Sequence, residues 1–136
     1  MSTPCLNLVV VYACSLERAE QFYRILGLTF VREKHGDGPE HLSCGCGDVL
    51  LEIYPRQPGS QPVAPVRLGF RVQSVDNVVA ELRRIGARIL HDPTDSPWGW
   101  RAVAVDPDGY SVELTGAIDA RPTHPSSAIQ APTTSA

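Results

Sequence analysis

The sequence predicts an α+β fold built from two β-α-β-β-β modules. Three observations carry this: a long internal repeat, helical spacing of apolar residues inside each copy, and a Pro/Gly-rich joint between the copies. Residues 9–27, VVVYACSLERAEQFYRILG, recur as residues 68–86, LGFRVQSVDNVVAELRRIG. Ser15 falls on Ser74, Leu16 on Val75, Tyr23 on Leu82, Leu26 on Ile85 and Gly27 on Gly86. DVLLEIY at 48–54 falls on GYSVELT at 109–115, which sets Glu52 against Glu113. A repeat of this length means two copies of one supersecondary unit, neither able to bury its apolar face alone.

Each element follows in order. Residues 6–13 read as an apolar strand. Ser15 can cap a helix, with Glu17 in the first turn favoured by the helix dipole. Leu16, Ala19, Phe22, Tyr23 and Leu26 recur at helical spacing, and Gly27 can supply the left-handed residue that ends it. A strand at 29–33, the polar loop HGDGPE, a strand at 41–44, a Gly-Cys-Gly-Asp turn and a strand at 49–54 complete the first module. PRQPGSQPVAP, residues 55–65, is a stiff linker. The second module has a strand at 66–72, then a helix capped by Ser74 with Asp76 in its first turn and ended by Gly86. A strand at 88–91, the loop DPTDSPWG, a strand at 100–105, the turn Asp106-Pro107-Asp108-Gly109 and a strand at 110–115 follow. The expected organisation is a single domain over 1–117, with modules 5–54 and 66–116, and a disordered tail over 118–136 with little to bury.

Bulk properties bound the function. A chain of 136 residues with 43% hydrophobic content suits one domain with a real core. The net charge is −3, from 12 Lys and Arg against 15 Asp and Glu, so nucleic acid is excluded as an expected partner. No apolar run is long enough to span a membrane. The start, MSTPCLNLVVVY, lacks a basic region and a cleavage site, and the expected location is the cytoplasm. Cys5, Cys14, Cys44 and Cys46 then read as reduced thiols. Cys44-Gly45-Cys46 is either a soft-metal pair or a small core residue followed by a turn residue.

Strands alternate faces, so each sheet can be sorted. Val9, Val11, Ala13, Leu51 and Ile53, with Leu68, Phe70, Val72, Val112 and Leu114 in the second copy, should lie under the helices. Leu8, Val10, Tyr12, Leu50, Glu52 and Tyr54, with Arg67, Gly69, Arg71, Ser111, Glu113 and Thr115, should face away. In the middle strands, Leu42, Cys44, Val103 and Val105 are expected toward the helices, and His41, Ser43, Trp100, Ala102 and Ala104 away. The second set is mostly apolar with a few placed polar groups, as in a concave ligand site. His41 is a candidate general base if it lies near Glu52. Trp98 and Trp100 are candidates for stacking on a flat ligand. His35, His91 and His124 are expected to be solvated.

SLERAEQFYRILGL resembles the first helix of the vicinal oxygen chelate superfamily, which includes glyoxalase I, bleomycin-resistance proteins and extradiol dioxygenases. SPWGWRAVAVDPDGYSVEL resembles its closing hairpin and is the more specific match. The resemblance covers about residues 6–115. It implies paired modules forming a cup-shaped, partly open β-barrel with helices outside, commonly as a homodimer. Metal-dependent members place four ligands on the cup floor, one from the first and one from the last strand of each module. Here those positions are Leu8, Glu52, Arg67 and Glu113. Glu52 and Glu113 match the pattern, but Leu8 has no donor atom and Arg67 has no lone pair to offer. Arg67 can instead neutralise one carboxylate or bridge both.

The reading at this level is a protein that binds a small organic molecule without a catalytic metal or other cofactor. Its candidate ligand-binding residues are Tyr12, His41, Glu52, Tyr54, Arg67, Arg71, Trp98, Trp100 and Glu113. The alternative is a lyase, isomerase or dioxygenase dependent on a divalent metal, with His41, Glu52 and Glu113 as catalytic candidates.

Overall fold

A computed structural model describes residues 3–59 and 66–116. The chain divides into two compact units, Met1–Val63 and Ala64–Ala136. The expected tail and the second half of the expected linker lie outside the described residues.

The first unit contains β1 (Leu8–Ala13), α1 (Leu16–Ile25), β2 (Val31–Glu33), β3 (His41–Cys46) and β4 (Val49–Pro55). Its strands form one four-stranded sheet in the order β1-β4-β3-β2, with β1 parallel to β4 and the other pairs antiparallel. The second unit repeats this with β5 (Arg67–Val72), α2 (Val75–Arg84), β6 (Arg88–Ser96), β7 (Gly99–Val105) and β8 (Ser111–Gly116). Its sheet order is β5-β8-β7-β6. No helix among the described residues is long and apolar enough to cross a membrane.

The two helices are built by the same local chemistry. The Ser15 hydroxyl accepts a hydrogen bond from the Arg18 N–H, and the Ser74 hydroxyl accepts one from the Asn77 N–H, each at 3.2 Å. At the far ends, the Gly27 N–H donates to the Arg24 carbonyl and the Leu28 N–H to the Tyr23 carbonyl. Gly86 and Ala87 donate to Arg83 and Leu82 in the same way. This paired pattern needs a left-handed residue, and Gly27 and Gly86 supply it at φ 109° and 84°. Each helix buries one stripe: Ala19, Phe22 and Tyr23 from α1, and Val75, Val78, Val79 and Leu82 from α2. The buried sheet residues are those expected in β1, β4 and β8, with Val11, Ala13, Leu51, Ile53, Val112 and Leu114 all under 5% exposed.

Two expectations are corrected. The loop predicted at 92–99 is largely strand: β6 runs on to Ser96. Pro93 is tolerated because the register shifts between His91 and Thr94, where no ladder bond is needed from it. The second correction is the facing of β7. Ala102 pairs with Leu114 and Ala104 with Val112, while Val103 pairs with Glu113. Cross-strand partners share a face. Ala102 and Ala104 therefore lie under α2, both fully buried, and Arg101, Val103 and Val105 lie on the opposite face. Trp100 goes with the alanines, and its indole N–H donates to Asp76 of α2 at 2.8 Å.

Turn length is the cause. β3 and β4 join through Gly47-Asp48, since Cys46 pairs with Val49. In the second unit the Asp106 N–H donates to the Tyr110 carbonyl, which leaves Pro107, Asp108 and Gly109 in the turn, with Gly109 at φ 97°. One added residue moves every side chain of the preceding strand to the other face relative to a simple overlay.

Leu82 is fully buried beneath this sheet. Leu82→Ala should lower the unfolding free energy by about 2–5 kcal/mol, and Ser74→Ala by about 1 kcal/mol. Urea titration followed by circular dichroism measures both.

Candidate functional site

In the first unit the polar face gathers around His41. Register places Tyr12 beside Tyr54, Val10 and Ser43 beside Glu52, and Glu33 beside His41. His41 is 1% exposed. Its ring stacks on Tyr54 with centroids 4.2 Å apart and planes 7° from parallel. Nδ1 lies 3.3 Å from the Pro39 carbonyl oxygen. Nε2 lies 3.4 Å from a Glu52 oxygen and 3.7 Å from a Glu33 oxygen, yet makes no hydrogen bond. The condition set for His41 as a candidate base, proximity to Glu52, is met, but His41 is buried where a solvated loop-edge histidine is the leading expectation. Tyr12 stands 6.4 Å from Tyr54, ring to ring. Burial, then the charge of Glu52, raises the Tyr54 phenol above its ordinary pKa, so it stays a neutral hydrogen-bonding group.

In the second unit the polar face centres on Glu113. Arg101 donates from both Nε, at 2.9 Å, and Nη2, at 2.6 Å, to one Glu113 oxygen. Arg67 stands further off, 3.9 Å from the same oxygen, with its side chain 63% exposed. Arg71 shares this face, since Arg71 pairs with Thr115, and is exposed. The partner of Glu113 is thus chiefly Arg101, where Arg67 was expected. The residue types gave no hint of this; the signal is the turn count, which puts Arg101 and not Trp100 on the Glu113 face.

The remaining candidates fall elsewhere. Trp100 is turned toward α2, and Trp98 is exposed at the β6–β7 turn. A surface depression of about 330 Å³ is lined by Cys14, Arg56, Gln57, Pro58 and Gly59 and includes none of the predicted residues. Cys44 and Cys46 sit on the helix side with their sulfurs 3.8 Å apart, far beyond a disulfide bond length. Burial, reinforced by the Cys44 thiol, pushes the Cys46 thiol up to about 11.

Of the four positions to which the resemblance assigns metal ligands, only Glu52 and Glu113 offer donor atoms. Leu8 brings no donor, Arg67 brings a permanent positive charge, and Glu113 is already engaged by the Arg101 guanidinium.

The comparisons agree with this fold. A family model described as Glyoxalase/Bleomycin resistance protein/Dioxygenase superfamily matches residues 6–114. No protein of curated function matches the chain significantly in sequence. Among solved structures, TnmS3, an antibiotic binding protein from Streptomyces sp. CB03234, is 27% identical. Its TM-score is 0.66, and the match covers 85% of this chain and 98% of that one. Oxidase ChaP-H1 is 26% identical at a TM-score of 0.64, covering 82% of this chain and 94% of its own. A lactoylglutathione lyase from Agrobacterium tumefaciens is 22% identical at 0.60, covering 86% and 96%.

Two outcomes follow from this geometry. Arg101→Leu should cost about 1.5–3 kcal/mol, the range for a half-buried charged hydrogen bond, whereas Arg67→Leu should cost less than about 1 kcal/mol, as exposed pairs do. Thermal unfolding of the two variants checks the order. The Cys46 thiol is held protonated in the folded chain, so folding loses stability as pH rises from about 9 toward about 11. Cys46→Ala should flatten that decline in urea titrations across the same range.

Proposed function

Because this chain belongs to the glyoxalase/bleomycin resistance protein/dioxygenase superfamily, we propose that it binds a small organic molecule against a polar sheet face, with no metal at the family's four ligand positions. The observation that carries this is the charge state of the second sheet. Glu113 is neutralised by Arg101, while Arg67 and Arg71 remain exposed on the same face. One carboxylate beside three guanidinium groups suits an anionic or strongly polar ligand group. In the first unit, exposed Tyr12 and the tilted Tyr54 ring beside it offer aromatic faces of the kind that grip a ring, with Tyr54 backed by the buried His41. Taken sheet by sheet, the first supports an aromatic ligand and the second a ligand carrying an acidic oxygen. The 27% identity to an antibiotic binding protein supports the same class of role.

An enzymatic reading has one specific observation behind it: the His41–Glu52 contact at 3.4 Å, together with 26% identity to an oxidase. The His41 Nε2 that faces this carboxylate is a candidate base. We also take the working form to be a cytoplasmic homodimer. β1 and β2, and likewise β5 and β6, are outer strands of their sheets, and such edges favour pairing. Sedimentation at tens of micromolar should give twice the chain mass; a single-chain mass removes the dimer from the reading.

Native mass spectrometry against a panel of aromatic acids and polycyclic antibiotics tests the binding function. The expected result is a one-to-one complex whose ligand is recovered with unchanged mass and which weakens roughly tenfold in Arg71→Ala, the loss of one charged hydrogen bond. A ligand recovered with altered mass would move the enzymatic reading to first place. No complex with any aromatic acid would sink the proposed ligand class.

A further inference from the structure

The first unit holds a cluster of which the binding reading uses only the His41 ring, leaving Glu33, His35 and the His41 Nε2 atom. Glu33 ends β2, His35 follows in the loop, and His41 opens β3, so the short 34–40 connection folds three donor groups onto one spot. One ligand atom from each lies within 4.8 Å of the other two. We propose that Glu33, His35 and His41 form a binding site for a divalent transition-metal cation of the zinc class, distinct from the family's four ligand positions.

The buried His41 nitrogen carries the argument. In the tautomer whose Nδ1–H donates to the Pro39 carbonyl, Nε2 presents a lone pair. That lone pair is buried, makes no hydrogen bond, and looks at carboxylate oxygens of Glu52 at 3.4 Å and Glu33 at 3.7 Å. Three electron-rich atoms converge with no donor between them, an arrangement that a cation relieves. The backbone carbonyl on Nδ1 is the usual outer partner of a metal-bound imidazole, fixing its tautomer and ring plane. Stacking on Tyr54 holds the same ring from one face.

Spacing and mobility fit as well. Tetrahedral coordination at 2.0–2.1 Å sets ligand atoms about 3.3–3.4 Å apart. The His41–Glu33 and His35–Glu33 separations are 3.7 and 3.9 Å. His41 is fixed, whereas the His35 side chain is 71% exposed and that of Glu33 38%, so these two can draw in. Two imidazoles and a carboxylate select zinc, cobalt or nickel over magnesium or calcium, which prefer oxygen. The nearby Glu52 carboxylate adds negative charge beside the site.

The test is metal uptake by the full chain, read by isothermal titration with zinc and by the visible spectrum with cobalt(II). The expected result is one ion per chain, no competition from excess magnesium, and the intense visible bands of low-coordinate cobalt without near-ultraviolet thiolate charge transfer. His35→Ala removes no buried contact and should weaken zinc by roughly tenfold or more, with unchanged circular dichroism, as should Glu33→Gln. A Cys44→Ser, Cys46→Ser double variant should bind as the parent does. Absence of uptake at micromolar zinc would overturn the proposal. So would uptake that survives His35→Ala and Glu33→Gln, or that disappears with the two cysteines. None of these readouts involves an organic ligand, so they leave the binding function to its own experiment.

Discussion

One interaction recurs in both units and organises the rest. A nitrogen base at the start of the third strand of each unit, His41 or Arg101, reaches a carboxylate near the middle of the fourth, Glu52 or Glu113. The positions are equivalent: each base precedes the residue that pairs with the buried Ile53 or Leu114, one residue beyond the glutamate. Period-two alternation keeps the glutamate off the dry face, where Leu51 and Ile53, or Val112 and Leu114, are packed under a helix. A carboxylate held in that half-buried place needs a partner, and in the second unit the strand beside it provides one in Arg101. Only the second sheet face thus has its charge balanced locally, by the Arg101 guanidinium on Glu113.

The repeat has diverged in the chemistry of that partner. A guanidinium is a permanent cation, and two of its N–H groups donate to one Glu113 oxygen. Imidazole is not permanent, and His41 shows its buried nitrogen to two carboxylates without a hydrogen bond to either. The second unit therefore has Glu113 neutralised, with Arg67 and Arg71 exposed on the same face. The first unit has surplus negative charge around an uncommitted lone pair. The two units therefore differ in charge: the polar face of one suits anions, and that of the other suits cations and aromatic rings.

Much of the fold was legible in the sequence because its signals are local. Ser15 and Ser74 as caps, Gly27 and Gly86 as left-handed stops, and the apolar stripe between them require only neighbouring residues to be read. The faces of β1, β4, β5 and β8 were legible for a similar reason, since alternation within one strand is enough. What could not be read directly depends on pairing between strands. The face of β7 turns on whether its hairpin holds two or three residues, and the Asp-Pro-Asp-Gly motif alone does not say where pairing stops. The Asp106 carboxylate settles this, accepting from the Asp108 and Tyr110 N–H groups and folding the turn one residue wider than its counterpart. The continuation of β6 through Pro93 was hidden because proline argues against a strand, and only a register shift removes the objection.

The same distinction explains why half of the polar cluster in the first unit escaped notice. His41 and Glu52 lie on strands whose alternation advertises them. Glu33 and His35 lie at the end of a three-residue strand and in a Gly-rich loop, where no periodicity survives. A loop residue of this kind reads as solvated, and the His35 side chain is indeed 71% exposed. Its significance comes from what lies opposite it, a histidine buried to 1%. Exposure alone therefore discriminates poorly here. The informative quantity is the contrast across the cluster, one donor locked by stacking and a backbone carbonyl beside two that are free to close on it. A rigid donor sets geometry and mobile donors accommodate to it, which is how a site can be specific without the whole loop being prearranged.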